Sequence, residues 1–165
     1  MQPTVTGRVW KYGDDVNTDV IFPGKYTYSL TDPAEMARHA LEDLDPTFAP
    51  NVRPGDIIVA GWNWGCGSSR EQAVTCLQAA GVAAIVARSF ARIYYRNCIN
   101  QALPIVTCAA VESVETGQEI TIDFAAGQVI TPGGVYQFPP LPPEVMAILN
   151  AGGLIPYVRQ RLGLA

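Results

Sequence analysis

Between Gly61 and Gln72 the chain reads Gly-Trp-Asn-Trp-Gly-Cys-Gly-Ser-Ser-Arg-Glu-Gln, and its chemistry is concentrated there. Gly61, Gly65 and Gly67 permit turns closed to other residues and let main-chain N–H groups approach a ligand. Ser68, Ser69 and Arg70 then open what reads as a helix, where the macrodipole and unpaired N–H groups favour an anion. Arg70 adds a planar fork that can hold a carboxylate bidentately. The physical reading is a carboxylate or phosphate site with one or two hydroxyls beside it. A plainer reading competes with it. Ser69 to Gln72, or Ser68 to Glu71, fits the capping box that closes a helix start. A cap accounts for one serine, but not for two that are preceded by three glycines and followed by an arginine.

Other chemistries are excluded by what is missing. The loop lacks the third glycine of a dinucleotide fingerprint, and no Gly-Lys-Ser/Thr follows, so it is not a P-loop. Ser68 is not in a G-x-S-x-G elbow. His39 is the lone histidine and reads as a solvated helix residue, not as a triad base. Cys66 as a nucleophile lacks a base. Cys66, Cys76, Cys98 and Cys108 are widely spaced, with no CxxC, so no metal ligand set is expected and they read as free thiols, mostly small core residues. Asp15, Asn17 and Asp19 alternate like a calcium loop, but Val20 stands where the glycine belongs and Tyr26 where the bidentate Glu belongs. They are either a turn whose side chains bond their own backbone, the simpler reading, or a loop that aims Asp19 into a site as a hydrogen-bond acceptor for a histidine.

The elements that must position these residues follow from hydrophobic patterning. Residues 7–12 alternate like a short strand. Residues 13–19 form a polar loop, and residues 25–30 form another. Asp32-Pro33 marks a helix start, with the helix expected over 33–44 and Met36, Ala40 and Leu44 on one face. Ile57–Ala60 is a short unbroken apolar run typical of a buried strand. Helices over 71–80 and 91–101 alternate with strands over 82–87 and 104–107. This β-α-β-α-β order implies a parallel core, with the 61–69 loop at the carboxyl end of one of its strands, where α/β sheets bind ligands. Residues 121–124 and 128–130 read as an antiparallel hairpin. Helices over 143–150 and 157–162 close the chain. The fold class is α/β, a parallel core with added antiparallel strands.

Composition bounds the partners. The chain has 165 residues, the size of one domain, with 48% hydrophobic and 16% charged residues. Lys+Arg 11 against Asp+Glu 15 gives a net charge of −4, which argues against a nucleic-acid backbone binder. Charge this sparse suggests that a partner covers part of the surface, and self-association of the chain is compatible with it. No apolar run is long enough to span a membrane, and Met1-Gln2-Pro3-Thr4 shows no secretory signal. A reducing, cytoplasmic setting is expected.

The residues 61–73 resemble G-x-N-F-G-C-G-S-S-R-E-H-A, the pattern of the small subunits of isopropylmalate dehydratase and homoaconitase. Asp15-x-Asn17-Thr18-Asp19 with Ile21-x-Pro23 is similar to the family's D-x-N-T-D-x-I-x-P. Thr31-Asp32-Pro33, Glu42 to Pro46, Pro54 to Gly61, Ser89 to Asn97 and Gly152-Gly153-Leu154 extend the likeness over nearly the whole chain. The resemblance implies an aconitase-like swivelling β/β/α domain over residues 1–165. It implies a separate large subunit with a [4Fe-4S] cluster, no cofactor on this chain, and a hydroxy-dicarboxylate substrate that is dehydrated and rehydrated through an alkene. It makes Ser68 the base that takes the proton from carbon, its alkoxide stabilised by the Gly65–Cys66–Gly67 main chain and Arg70. Ser69 and Arg70 bind substrate carboxylate. Asp19 orients a histidine of the large subunit that protonates the leaving hydroxyl, and iron on the partner is the Lewis acid.

Two departures bear on function. Gln72 stands in place of the family's histidine, and Trp64 in place of phenylalanine. The segment Lys25-Tyr26-Thr27-Tyr28-Ser29 corresponds to the loop that sorts the substrate's variable side chain. It carries no arginine beside Tyr26 to pair with a third carboxylate, which favours isopropylmalate over homocitrate and leaves a dimethylmalate-type substrate open. A metabolite-binding module that kept the anion loop but lost turnover is the rival of a different class.

Overall fold

A computed structural model describes residues 1–164. The elements are, in chain order, β1 (Thr4–Lys11), α1 (Thr18–Ile21), α2 (Pro33–Ala37), α3 (Phe48–Asn51), β2 (Ile57–Ala60), α4 (Gln72–Ala79), β3 (Ala84–Ala87), α5 (Arg92–Asn100), β4 (Ile105–Thr107), β5 (Glu119–Asp123), β6 (Gln128–Thr131), β7 (Gly134–Gln137), α6 (Pro143–Ala151) and α7 (Leu154–Arg161). One seven-stranded sheet runs β4-β3-β2-β1-β5-β6-β7. β1 to β4 are mutually parallel, with Val9 opposite Ile57, Ile58 opposite Ile85 and Val86 opposite Val106. β5, β6 and β7 add antiparallel strands to the other side of β1. The parallel core and the hairpin agree with the sequence pattern.

β2 and β3 are buried at every position because both of their faces are covered. Ile58, Ala60, Ile85 and Ala87 pack into the core beneath the helices with Leu77 and Tyr94. Ile57, Val59, Ala84 and Val86 pack into a second core with Ile122, Phe124, Val129 and Phe138. The antiparallel strands therefore curl back over the far face of the parallel ones. Two covered faces explain why these strands read as unbroken apolar runs. Each such buried aliphatic side chain contributes about 1.5–3 kcal/mol.

Three expectations need correction. The helix expected over 33–44 stops at Ala37. Its start is as read, with Asp32 Oδ1 accepting from the Ala34 N–H at 3.1 Å, but Leu41 takes φ +56° and its N–H donates to Ile21 O at 2.8 Å. That bond ties the segment to α1 and leaves Leu44 exposed, so Met36 and Ala40 alone of the expected face are buried. The polar stretch before Pro23 contains α1, a single turn capped by Asn17, whose Oδ1 accepts from the Val20 N–H at 3.0 Å. β7 is an additional edge strand whose mostly exposed residues carry no apolar signal.

Candidate active site

Three loops leave the carboxyl ends of β1, β2 and β3 side by side and are laced together through their backbones. Gly61 N–H donates to Gly13 O at 3.1 Å, Gly65 N–H to Val16 O at 2.8 Å and Thr18 N–H to Cys66 O at 2.8 Å. Asp14 Oδ1 accepts from the Trp62 N–H at 2.8 Å, and the Thr18 hydroxyl donates to Ser68 O at 2.8 Å. On the other side Trp64 N–H donates to Ser89 O at 3.1 Å and Ala91 N–H to Trp64 O at 2.9 Å. The polar turn after β1 thus braces the glycine loop after β2, and the segment after β3 delivers α5 to the same spot. Trp64, fully buried, anchors the loop in the core.

A cleft of about 180 Å³ opens there. Ser68, Ser69 and Arg70 line one wall, and Arg92, Ile93 and Asn97 of α5 line the other. No aspartate or glutamate is among its lining residues, in a chain with 15 of them. From Cys66 to Glu71 no backbone N–H donates to a protein acceptor among the described residues. Unspent N–H donors, two hydroxyls and the guanidiniums of Arg70 and Arg92, with no carboxylate among the lining residues, make this a site for a small anion.

Each expected residue can now be placed. Ser68 is exposed in the cleft, and its Oγ has no protein partner among the described residues. Ser69 Oγ is 3.5 Å from Asn97 Nδ2, a long contact across the cleft. Arg70 is held from behind: Nη2 is 2.7 Å from Asp19 Oδ1, and Nη1 donates to Thr27 Oγ1 at 2.8 Å. Gly24 lets the pair close, since a Cβ there would stand 3.1 Å from Arg70 Nη1 and 3.2 Å from Asp19 Oδ1. Gly65, at φ +84°, lies flat on the Tyr94 ring, leaving no room for a side chain. Its N–H is spent on Val16, so the free donors begin at Cys66, one residue later than expected. Gly67 lines the cleft at φ +95°. Cys66, expected at the site, does not line the cleft, and its carbonyl is taken by the Thr18 N–H at 2.8 Å.

The capping-box reading is overturned. α4 starts at Gln72 behind Glu71, and no side chain caps it. Neither serine is spent on the helix. Gln72 does not line the cleft and makes no side-chain hydrogen bond among the described residues.

The Lys25–Ser29 segment divides. Thr27 reaches Arg70. Lys25 lies 3.9 Å from Glu42 and its ammonium sits over the Tyr26 ring. Tyr26 stacks on His39 with ring centroids 4.1 Å apart, and Tyr28 is 97% exposed. None of the five lines the cleft of this chain. His39 sits in the turn after α2 and not on a helix, with Nδ1 2.9 Å from Glu42 Oε1; that contact leads the groups that hold the Glu42 carboxyl below its ordinary range.

Three residues of the site were missed from sequence: Thr18, Arg92 and Asn97. Two signals were available: Thr18 lies in the Asn17-Thr18-Asp19 motif and Arg92 and Asn97 in the Ser89–Asn97 match, and α5 follows the neighbouring parallel strand, so its first turn must emerge beside the glycine loop. Tyr94 also borders the cleft, but burial raises its pKa well above 10 and its hydroxyl donates to Ala73 O at 2.9 Å, so it is a wall.

Among the described residues no three His, Cys, Asp or Glu side chains are grouped to hold a metal. Cys76 and Cys98 are buried, and burial pushes both thiols up, away from the thiolate that ligation requires.

Comparison with known proteins supplies a family. The model of the Aconitase C-terminal domain family matches residues 22–110. The 3-isopropylmalate dehydratase small subunit of Nautilia profundicola is 48% identical over 160 residues, 96% of each chain. The isopropylmalate/citramalate isomerase small subunit of Methanocaldococcus jannaschii is 44% identical over 98% of each. A crystal structure of 3-isopropylmalate dehydratase from Methanocaldococcus jannaschii superposes with a TM-score of 0.92 at 39% identity, covering 98% of this chain and 96% of that one. At this identity over nearly the whole length of each chain, and with the same fold, the chain belongs to the 3-isopropylmalate dehydratase small-subunit family of the aconitase superfamily.

Proposed function

We propose that the chain is the small subunit of a hydro-lyase that interconverts 2-isopropylmalate and 3-isopropylmalate by dehydration and rehydration, in the route to leucine. One observation carries the reading: a cleft free of carboxylates sets the unpartnered Ser68 hydroxyl beside the Arg70 guanidinium and a run of unspent backbone N–H groups. In the dehydrating direction Ser68 Oγ accepts the proton from substrate carbon. Its alkoxide character is offset by the N–H groups from Cys66 onward and by Arg70. Ser69 and Arg70 hold a substrate carboxylate, and Gly65 and Gly67 shape the loop around it. Asp19 keeps Oδ2 free while Oδ1 faces Arg70, and that oxygen orients a histidine of the large subunit toward the leaving hydroxyl.

The large subunit brings the [4Fe-4S] cluster, and no step assigned to this chain uses iron. The Lys25–Ser29 segment sorts the substrate's variable group once the subunits meet, with Thr27 passing its position to Arg70. The chain works as one swivelling domain in the cytoplasm; no described helix is long and apolar enough to cross a membrane. Relatives named for isopropylmalate, with one named also for citramalate, favour that substrate over homoaconitate.

The test is reconstitution. Mixed with a cluster-loaded large subunit, the chain is expected to generate alkene absorbance from 3-isopropylmalate, and less or none from homocitrate. Binding of hydroxy-diacids without any absorbance change would instead make it a non-catalytic module.

A further inference from the structure

A hydroxy-dicarboxylate carries two carboxylates, and Arg70 with its serines accounts for one. We propose that Arg92 is the substrate-binding residue for the second. This rests on the hydro-lyase reading above and gives its site an opposite pole. Arg92 is the first residue of α5 and lines the same cleft as Ser68 and Arg70, from the facing wall. Its guanidinium, like those of Arg38, Arg53 and Arg96, makes no hydrogen bond or ion pair among the described residues, but of these four only Arg92 lines the cleft, opposite an Arg70 that is already paired with Asp19. The Arg92 side chain also borders the groove between α5 and α6, and no carboxylate lines that groove either.

The surroundings of Arg92 point to the same ligand. Ala91 precedes α5 without a side-chain cap, so the N–H groups of its first turn have no intrahelical acceptor and add positive potential on the cleft side. Asn97, one turn or so further along the helix, reaches across to Ser69 and ties this wall to the serine wall. A fork on each side of a small acid-free cleft suits a short diacid, whose two ends then fix which carbon faces Ser68. Ile93, 54% exposed beside Arg92, offers an alkyl surface next to the bound end.

The experiment compares wild type, Arg92→Gln and Arg92→Lys, each assembled with the same large subunit. Arg92→Gln is expected to raise the KM for 3-isopropylmalate about tenfold with kcat within threefold, the loss expected for one charge-assisted contact. Arg92→Lys restores part of that loss. Inhibition by the monocarboxylate 2-hydroxy-4-methylpentanoate, which lacks the second carboxylate, weakens less than twofold in Arg92→Gln. Unchanged KM in an active Arg92→Gln complex with a wild-type melting curve overturns the assignment, as does an equal loss of diacid and monoacid affinity. Should the wild-type complex turn over no hydroxy-diacid, the hydro-lyase reading fails by itself. Arg92 is then judged by calorimetric titration with malate: tenfold weaker binding to Arg92→Gln sustains the subsite, and equal binding removes it.

Discussion

The carboxylate of Asp19 and the guanidinium of Arg70 form one pair, Oδ1 2.7 Å from Nη2, with Thr27 closing the other arm of the fork at 2.8 Å. The Asp19 side chain is 59% exposed and that of Arg70 22%, so the pair contributes little to stability on its own. Its consequence is geometric. A guanidinium fixed at both terminal nitrogens cannot swing, so Arg70 lines the cleft in one orientation.

Replacing the fork tests this directly. Arg70→Lys keeps the charge but cannot hold Asp19, Thr27 and a carboxylate at once. Substrate affinity is expected to fall about 10- to 100-fold, corresponding to the roughly 1.5–3 kcal/mol of a charge-assisted hydrogen bond. The measurement is KM, or calorimetric binding of a diacid inhibitor, on the assembled enzyme. Unchanged affinity would refute the clamp.

Thr27→Val isolates the brace from the clamp. It removes the acceptor for Arg70 Nη1 and keeps side-chain size, so Arg70 stays charged but loses one of its two tethers. The expected result is a KM raised about threefold to tenfold, the effect of one ordinary hydrogen bond, with kcat within twofold. A fall in kcat at constant KM would show that Thr27 acts on the chemical step and not through Arg70.

Ser68→Ala separates chemistry from binding. The hydroxyl bonds no other described residue, so the fold should melt unchanged, and Ser69 and Arg70 remain to bind substrate. Turnover is expected to drop about 10²- to 10⁴-fold, the usual range for one general base, with diacid affinity within threefold. Retention of substantial rate removes Ser68 from the base role.

How much of this could be read beforehand depends on how local each feature is. Ile57–Ala60 and residues 84–87 were legible because burial on two faces writes an uninterrupted apolar run. Asp32-Pro33 was legible because a helix start is encoded within a few residues. The end of α2 was not, since Leu41 adopts φ +56° to reach Ile21 on another element. Within the site, Ser68 and Arg70 stood out by type and spacing. The Asp19–Arg70 pair and the approach of Arg92 depend on which loops the parallel strands set side by side, and no short stretch of sequence carries that. The capping box failed for a related reason: the lacing of the loop to Val16, Thr18 and Ser89 holds Ser68 and Ser69 ahead of the helix they resemble caps for.

Gly65→Ala tests the packing beneath the loop. The new Cβ would collide with the Tyr94 ring in a backbone conformation that disfavours side chains. Overpacking together with a left-handed backbone costs about 2–4 kcal/mol, or a melting temperature lower by roughly 5–15 °C. Thermal unfolding of the chain checks it, and a shift below about 2 °C would mean that the ring gives way freely.

Asp56 offers a pH-dependent test away from the cleft. It is 4% exposed, and burial by itself raises its pKa. Three donors overcome that effect, namely Trp10 Nε1 at 2.9 Å, Arg53 N–H at 2.9 Å and Arg8 Nη2 at 3.0 Å, and the carboxyl ends below its ordinary 3.8. A carboxyl lowered in the folded state binds its proton more readily when unfolded. Its stabilisation is therefore complete above the unfolded pKa of about 3.9 and is lost as pH falls through the lower folded value. Asp56→Asn removes the charge that the buried Trp10 N–H and the two part-buried donors face and should cost about 1–3 kcal/mol at neutral pH. The gap in melting temperature between variant and wild type should stay constant from pH 7 to about 5 and narrow below about 4. A gap that persists unchanged at the acid end would show that Asp56 acts by shape and not by charge.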